Sequence, residues 1–562
     1  MNTEFMIVDN MPIEISGEKN VLDVIRKAGI DLPTFCYHSE LSVYGACRMC
    51  VVEDKRGAIH AACSTPPKAG MELRTNTPRL RKYRKMILEL FLANHCRDCT
   101  TCEKNGKCKL QELAQRFGIK QVRFNNTSTD SEMDSSSLCI TRDKNKCILC
   151  GDCVRMCEEV QNVGAIDFAF RGSKMRVTTA FDEPIANTNC VGCGQCAAVC
   201  PTGAIVVKND TVNLWKELST EDTKVLVQIA PAVRVGIGQE FGLPEGKNAM
   251  GRIVAALRRI GFDEVFDTTV GADLTVLEET GEFMGRLQKG EKLPLFTSCC
   301  PAWVKYAEFN YPQLMENIST CRSPMQMFGS VLKEHYSHSH KKVVVVAVMP
   351  CTAKKAEASR DEFKENGIPY VDYVISTQEL IQMIREAGIV FSEIEPEAVD
   401  MPFGTTSGAG VIFGVTGGVT EAVVRRISDD KSISALRAIA FTGIRGMDGV
   451  KEASLDFNGR EVKIAIVSGL KNADNLIKQI QSGEKSYDFI EVMACPGGCI
   501  CGAGQPVAHG DSKKSRSAGL YEADRMSNIK RSEENPVIMA LYGGLLKGKT
   551  HKLLHVKYHR KG

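Results

Sequence analysis

The sequence predicts a multidomain α+β protein with a β-grasp-like start, two cysteine-rich middle segments and a two-lobed α/β domain at the C-terminal end. Three observations predict it. Cysteines crowd the first 200 residues at metal-ligand spacing. One run of four, Cys147-x2-Cys150-x2-Cys153-x3-Cys157, recurs as Cys190-x2-Cys193-x2-Cys196-x3-Cys200-Pro201. From about residue 222, apolar runs alternate with amphipathic ones, the pattern of an α/β domain.

At 562 residues the chain holds several domains rather than one core. Hydrophobic content of 43% and charged content of 25% are those of an ordinary globular protein. A net charge of +3 gives no reason to expect nucleic acid or a membrane surface as partner. No apolar run is long enough to span a bilayer, and MNTEFMIVDN lacks a secretory or twin-arginine signal. The expected location is cytoplasmic. There the 24 cysteines are not a disulfide framework, which leaves metal as their reading.

Residues 1–80 open with a hairpin-like stretch, EFMIVDNMPIEIS, and a short helix, NVLDVIRKAG. Cys36, Cys47, Cys50 and Cys63 follow. A thiolate loop with a distant fourth ligand suits a plant-type [2Fe-2S] cluster. The first gap, ten residues, exceeds the plant-type four. Zinc is the alternative, disfavoured by the strand, helix and long cysteine loop around the ligands. Residues 81–125 begin with a helix, RLRKYRKMILELFLANH, delivering His95, Cys99, Cys102 and Cys108. This set could hold zinc or a cluster, and spacing alone does not decide. Cys96 is a spare thiol.

The polar stretch FNNTSTDSEMDSSS reads as a linker to the region 138–210. The repeat there has the bacterial two-cluster ferredoxin form, in which the fourth cysteine of each run ligates the other cluster. Cys147, Cys150, Cys153 and Cys200 form one [4Fe-4S] set; Cys190, Cys193, Cys196 and Cys157 form the other.

In 222–515, VLVQIAPAVRVGIG, DEVFDTTVGADLTVLEE, KVVVVAVMP, VKIAIVSGL and YDFIEVMA read as strands. GKNAMGRIVAALRRIG and STQELIQMIREAG read as helices. Three strand ends deliver cysteines: PLFTSCCPAW (Cys299, Cys300), VMPCTAKK (Cys351) and MACPGGCICGAGQP (Cys495, Cys499). Soft thiolates brought to one place suggest a buried iron–sulfur site. Gly502, Ala503 and Gly504 read as small residues that let backbone approach a bulky inorganic group. Residues 516–562 read as a small helical segment ending in a solvated basic tail, KGKTHKLLHVKYHRKG.

TSCCPAW, MPCTAKKAE and MACPGGCICGAGQP, in this order, resemble the three signatures of the [FeFe]-hydrogenases. The resemblance extends through the N-terminal half, to the monomeric, ferredoxin-linked type with four accessory clusters. It implies an N-terminal β-grasp [2Fe-2S] domain, a His-ligated [4Fe-4S] segment, a two-[4Fe-4S] ferredoxin domain and an H-cluster domain. By it, Cys300, Cys351, Cys495 and Cys499 hold a [4Fe-4S] subcluster. Cys499 also bridges to a diiron subcluster with CO, cyanide and an azadithiolate bridge. Lys354 matches a donor to one cyanide, and a charge-assisted donor suits an anionic ligand. Ala230, Pro231 and Ala232 match a strand end beside the second cyanide. Met349, Met493 and Phe413 match pocket walls, although core packing explains them nearly as well.

Cys299, beside a ligand and itself spare, matches the thiol that exchanges protons with the bridging amine. Glu279, Ser319, Glu282 and Arg286 match the family's relay from it to the surface. Glu279 and Glu282 are three apart, one helical turn. The implied activity is reversible reduction of protons to H2 with electrons from ferredoxin or a similar redox protein, and maturation proteins install the diiron unit. The chain departs from the commonest family form at Ala302, Met325, Thr420, Cys501 and Ala503, and Glu534 stands where His is usual. These raise the expectation of a shifted catalytic bias. Cys321 and Cys501 read as small buried residues before they read as protectors of an open iron. The alternatives are a subunit of an NAD(P)-linked or electron-bifurcating complex with a flavoprotein partner, a hydrogen sensor or iron–sulfur scaffold, and an NADH-dehydrogenase-type subunit, against which the signatures after 290 argue.

Overall fold

The computed structural model describes residues 4–126, 131–428, 430, 432, 434, 438–439, 443–457, 459–507 and 511–558. Part of the expected linker (127–130) and the last four residues of the basic tail lie outside them. The chain forms two units. The first takes residues 1–160, 164–188 and 195–206; the second takes 161–163, 189–194 and 207–562.

The first unit starts with strands β1 (Glu4–Val8) and β2 (Met11–Ile15), paired antiparallel through a turn at Asp9 and Asn10. Both turn residues have positive φ (48° and 68°), which Asp and Asn tolerate better than other side chains. Helix α1 (Val21–Lys27) is capped by the Asn20 side chain on the Asp23 amide. With β3 (Val51–Asp54), β4 (Ile59–Ala61) and β5 (Glu72–Arg74) the sheet order is β2-β1-β5-β3-β4. Met6, Val8, Val24 and Ile25 pack between helix and sheet with Cys50 and Cys63. The β-grasp-like expectation is met, and its core holds two of the four cysteines in place. Helix α2 (Pro78–Ala93) has Pro78 in its first turn and a Thr77 cap, and delivers His95 beyond its C-terminal end.

The second unit has two sheets. In one, β6 (Thr223–Ile229), β7 (Glu264–Asp267), β9 (Lys342–Met349) and β10 (Tyr373–Ser376) run parallel in the order β7-β6-β9-β10. In the other, β8 (Leu295–Phe296), β11 (Val450–Phe457), β12 (Arg460–Ser468) and β13 (Phe489–Met493) take the order β8-β13-β12-β11, antiparallel only at the β11 edge. Alternation on β12 buries both faces. Val462, Ile464 and Ile466 pack against Phe283 and Val424, while Ala465 and Val467 pack with Trp303 and Leu476. Among the described residues, no helix is long and apolar enough to cross a membrane.

Two strand assignments need correction. DEVFDTTVGADLTVLEE is a short strand, β7, followed by a long helix α4 (Thr269–Lys289). Its first two turns, residues 269–276, are buried on all sides, so apolar residues do not alternate with polar ones at a helical period there. VLVQIAPAVRVGIG likewise leaves β6 at Ile229 and turns into a short helix, α3 (Val233–Gly236). The described part of the tail is docked rather than free in solvent. A helix spans Thr550–Leu554, Leu553 and Leu554 are buried, and Arg322 donates to the carbonyls of Lys552 and His555 (both 2.9 Å). Its lysines face outward and mask the apolar stripe between them.

Candidate active site and cluster sites

Three strands of the second unit end around one cavity. β9 leads through Met349 and Pro350 to Cys351, and β6 leads to Ala230-Pro231-Ala232. β13 ends at Met493, before Cys495 and Cys499. The carboxyl ends of parallel strands are where open α/β sheets place their ligands. The cavity has room for water-sized molecules over about 70 Å³. Its lining includes Cys299, Cys351, Lys354, Cys499, Met349, Met493, Phe413 and the Ala230–Ala232 turn. The cysteine pattern and the family resemblance together single out each of these residues. They do not single out Thr268, Ala272, Pro324, Pro350 or Gly414, which lack any chemical signature.

The turn at Ala230–Ala232 is clamped. Arg234 donates to the Pro231 carbonyl (3.1 Å) and pairs with Asp267 at the end of β7 (2.7 Å), both groups being buried. Gln505 donates to the Ala232 carbonyl (2.7 Å). Cys300 immediately precedes the helix α5 (Pro301–Asn310), and Cys351 stands just before α6 (Ala353–Ser359). Burial pushes the thiols of Cys300, Cys351 and Cys499 up, Cys351 to about 12, and the neighbouring sulfurs add to this at Cys351 and Cys499. The amides of Ala302 and Trp303 at Cys300, and of Ala353 and Lys354 at Cys351, pull the other way and favour thiolate. Cys495 does not line the cavity but lies two residues beyond β13, and the Ala494 amide between them donates to Cys300 Sγ (3.4 Å).

Lys354 is buried. Its Nζ pairs with Glu357 (2.8 Å) and reaches the Cys299 carbonyl (3.3 Å). Burial disfavours its charge, but Glu357 overcomes this and keeps its pKa above the ordinary lysine value. Ser323 donates to the same Glu357 oxygen (3.0 Å). Lys354→Met strands Glu357 without its cation. The expected loss is about 3–5 kcal/mol of stability, read as a lower Tm and denaturant midpoint.

The donor set fits a bulky anionic cluster: soft thiols, one fixed ammonium and otherwise apolar walls. The glycines of the third signature do something else. A Cβ on Gly502 would lie 2.1 Å from the Pro350 carbonyl, and one on Gly504 2.9 Å from Ser376 Cβ. Their smallness brings the 499–505 segment against the end of β9, so the expectation that they make room for the inorganic group is corrected.

Cys299 sits among Ala272, Val276, Phe413 and Met493. Burial, then Glu279 and Glu491, push its thiol well above the ordinary range. Glu279 is fully buried. Neither of its oxygens has a hydrogen-bond partner, although Ser319 and the Ser298 amide face it. Burial, with Glu282 nearby, raises its pKa to about 8. Ser319 donates to Glu282 (3.0 Å), and Arg286 pairs with Glu282 (2.5 Å). α4 places Glu279, Glu282 and Arg286 on one side, so all five expected relay residues come together.

The departures from the family form sort themselves. Met325 lines the cavity and Thr420 does not. Thr420 gives both its amide and its hydroxyl to the buried Glu491 (2.8 Å each), alongside the Gly417 amide (2.7 Å). Sequence reasoning missed Glu491 because it sits inside an apolar strand. Neither Cys321 nor Cys501 lines the cavity. Ala302 and Ala503 are buried, and Glu534 closes a one-turn cap with Arg531.

In the first unit, Cys36, Cys47, Cys50 and Cys63 are buried together. The Cys47 amide donates to Cys36 Sγ (3.3 Å) and the Phe35 amide to Cys47 Sγ (3.4 Å). The Cys36 thiol beside it holds Cys47 down to about 6, and Cys63 does the same in direction for Cys50. His95 is buried, with Nδ1 accepting the Arg97 amide (3.0 Å) and Nε2 left without a partner. Burial and Lys146 lower its pKa, which keeps the ring neutral, the form that binds metal. Cys99, Cys102 and Cys108 lie within one another's field. A Cβ on Gly203 would lie 2.5 Å from Cys102 Sγ, so this glycine makes room for the thiol. Cys147, Cys150, Cys153 and Cys200 line one cavity of about 30 Å³. Cys157 and Cys196 lie in the first unit, Cys190 and Cys193 in the second.

A buried site of strand-end thiols, in a chain that also carries iron–sulfur segments, defines a redox enzyme of the iron–sulfur class. Comparison with known proteins then places it. Residues 223–503 match the C-terminal domain of the large chain of iron-only hydrogenases (iron only hydrogenase large subunit), and 510–561 match the iron hydrogenase small subunit. Residues 5–78 match a 2Fe-2S cluster binding domain, 84–123 the NADH-ubiquinone oxidoreductase-G iron–sulfur binding region, and 146–204 a 4Fe-4S dicluster domain. The chain is 42% identical to the NADP-reducing hydrogenase subunit HndD of Solidesulfovibrio fructosivorans, over 99% of this chain and 98% of that one. It is 34% identical to iron hydrogenase 1 of Clostridium pasteurianum, over 98% and 99%. The [FeFe]-hydrogenase HydA1 from Chlamydomonas reinhardtii superposes with a TM-score of 0.54 at 36% identity, over 63% of this chain and 100% of that one. The chain belongs to the iron-only, or [FeFe], hydrogenases. It is an oxidoreductase acting on H2, with iron–sulfur clusters and an H-cluster.

Proposed function

We propose that Cys300, Cys351, Cys495 and Cys499 hold the H-cluster and that Cys299 is the proton gate beside it. The observation that carries this is the single cavity shared by Cys299, Cys351, Cys499 and Lys354. When bound, the H-cluster supplies the redox chemistry that joins two protons and two electrons as H2. The residues of the chain hold, orient and protonate. Lys354, kept charged by Glu357, donates into the cavity from one side, and the clamped Ala230–Ala232 turn closes another. Met349, Met493 and Phe413 exclude water from the cavity. Protons for H2 evolution pass along Glu282, Ser319 and Glu279 to the Cys299 thiol, with Arg286 at the outer end. For H2 oxidation they pass the other way.

Cys36, Cys47, Cys50 and Cys63 hold the [2Fe-2S] cluster, and His95, Cys99, Cys102 and Cys108 an accessory [4Fe-4S]. Cys147, Cys150, Cys153 and Cys200, with Cys157, Cys190, Cys193 and Cys196, hold the ferredoxin-like pair. Electrons enter through these clusters. Ferredoxin is one donor of suitable chemistry, and the cytoplasm is the compartment that suits so many reduced thiols. A second reading has a specific basis: the relative 42% identical over nearly its whole length is named a subunit of an NADP-reducing enzyme. In that reading a flavoprotein partner supplies the nucleotide site.

The test is anaerobic H2 evolution from reduced viologen, with protein loaded with iron, sulfide and the diiron cofactor. Turnover in the wild type, and loss of both turnover and the infrared CO and cyanide bands in Cys499→Ser, is the expected result. Bands retained in full in that variant overturn the ligand assignment. Co-purification with a flavoprotein and NADPH formation from H2 would favour the second reading.

A further inference from the structure

The C-terminal segment carries an imidazole to the relay. His555 Nδ1 lies 2.9 Å from the Thr320 hydroxyl, and that hydroxyl donates to Glu282 Oε2 (3.1 Å). On the other side of the ring, Nε2 lies 2.8 Å from Glu278, which also accepts from the Tyr542 hydroxyl. The carbonyl of Thr320 accepts the Val556 amide (2.7 Å), and Arg322 holds the His555 carbonyl (2.9 Å), so the ring is built in rather than draped over the surface. The other groups facing it are His551, stacked at 5.1 Å, and Cys321, paired with His555 across a β-bridge. The His555 and Glu278 side chains are 13% and 17% exposed, enough to meet solvent.

Arg286 meets Glu282 on its other oxygen and gives its other terminal N–H groups to the carbonyls of Lys292, Glu316 and Ile318 (3.0–3.1 Å). A guanidinium has no acceptor and holds its proton throughout the physiological range. It can fix Glu282 but cannot hand a proton on. An imidazole has two nitrogens on opposite edges and ordinarily changes charge near neutral pH.

We propose that His555 is the group through which the relay exchanges protons with solvent, by way of the Thr320 hydroxyl, and that Arg286 is a positioning residue for Glu282. This rests on the relay reading of Glu282, Glu279 and Cys299. For an inward proton the balance is simple. Glu278 takes a proton from water and hands it to Nε2 as Nδ1 gives one to Thr320 Oγ1, and the hydroxyl's own hydrogen goes to Glu282. No atom other than the proton leaves or arrives.

Thr320→Val removes the hydroxyl and leaves ring and tail in place; Thr320→Ser restores it. The expected result is H2 evolution slowed about tenfold or more in Thr320→Val and recovered in Thr320→Ser. His555→Ala is expected to be slowed similarly, with an enlarged solvent isotope effect, and to be rescued by added imidazole, as befits a lost proton carrier. Wild-type rates in Thr320→Val, or a slow His555→Ala that imidazole leaves slow, would overturn the proposal. Failure of the relay reading itself is distinguishable. In that case Cys299→Ala keeps its turnover; here Cys299→Ala fails while the outer variants decide the route.

Discussion

Cys299→Ala is expected to lower H2 turnover by about a hundredfold or more while leaving the protein folded and its iron content unchanged. The expected size follows from what a positioned proton donor contributes, roughly 10²–10⁴-fold. The fold survives because Cys299 packs at the edge of an apolar cluster that includes Ala272, Val276, Phe413 and Met493, and removing one sulfur atom leaves a small gap. The thiol does not bond to Lys354, which reaches the Cys299 carbonyl, and alanine keeps that carbonyl. Burial and the facing Glu279 hold the proton on the sulfur, so Cys299 rests as a thiol that donates and is then refilled. Cys299→Ser keeps a donor with a more tightly held proton and is expected to fall between wild type and alanine. The check is viologen-driven H2 evolution with iron counted per chain. Turnover within a factor of three of wild type in the alanine variant would remove Cys299 from the relay.

Much of the site was legible because its chemistry depends on cysteines whose spacing has few uses besides binding metal. Cysteines at the ends of apolar runs, a lysine three after one of them and a repeated four-cysteine run leave little freedom of reading. What was not legible depended on burial. Glu491 was missed because it sits inside an apolar strand, and the start of the long helix α4 read as strand because a segment enclosed on every side loses the periodicity that distinguishes the two. Gly502 and Gly504 were assigned to the wrong neighbour: sequence shows that a side chain is absent, not which atom occupies the space. The tail was misread for a related reason. Its lysines dominate the composition, yet Leu553, Leu554 and His555 are what dock, and docking is a property of the surface that receives them.

Glu279→Gln is expected to lose turnover by about the same factor as Cys299→Ala, and it separates proton transfer from folding through pH. Burial is the main reason Glu279 titrates at about 8 rather than near 4.5, and Glu282 adds to it. A carboxyl with that value is partly protonated at neutral pH and can both accept and release a proton, which glutamine cannot. The stability effect runs the other way. Between the unfolded value and about 8 the folded chain binds the extra proton, so this group's contribution is complete below about 4.5 and is lost as pH rises toward 8. Above that range the wild type carries an unpaired buried carboxylate, and glutamine does not. The variant is therefore expected to be the more stable protein at about pH 8.5, by up to a few kcal/mol, with the difference shrinking toward about pH 5. Glutamine's amide must also find partners; Ser319 and the Ser298 amide are the groups in position to supply them. Denaturant midpoints at three pH values and turnover at the same pH values test both halves. A variant that is equally stable at all three yet inactive would keep Glu279 in the relay and refute the burial argument for its pKa. A variant that gains stability with pH yet turns over normally would keep that argument and route the proton around Glu279.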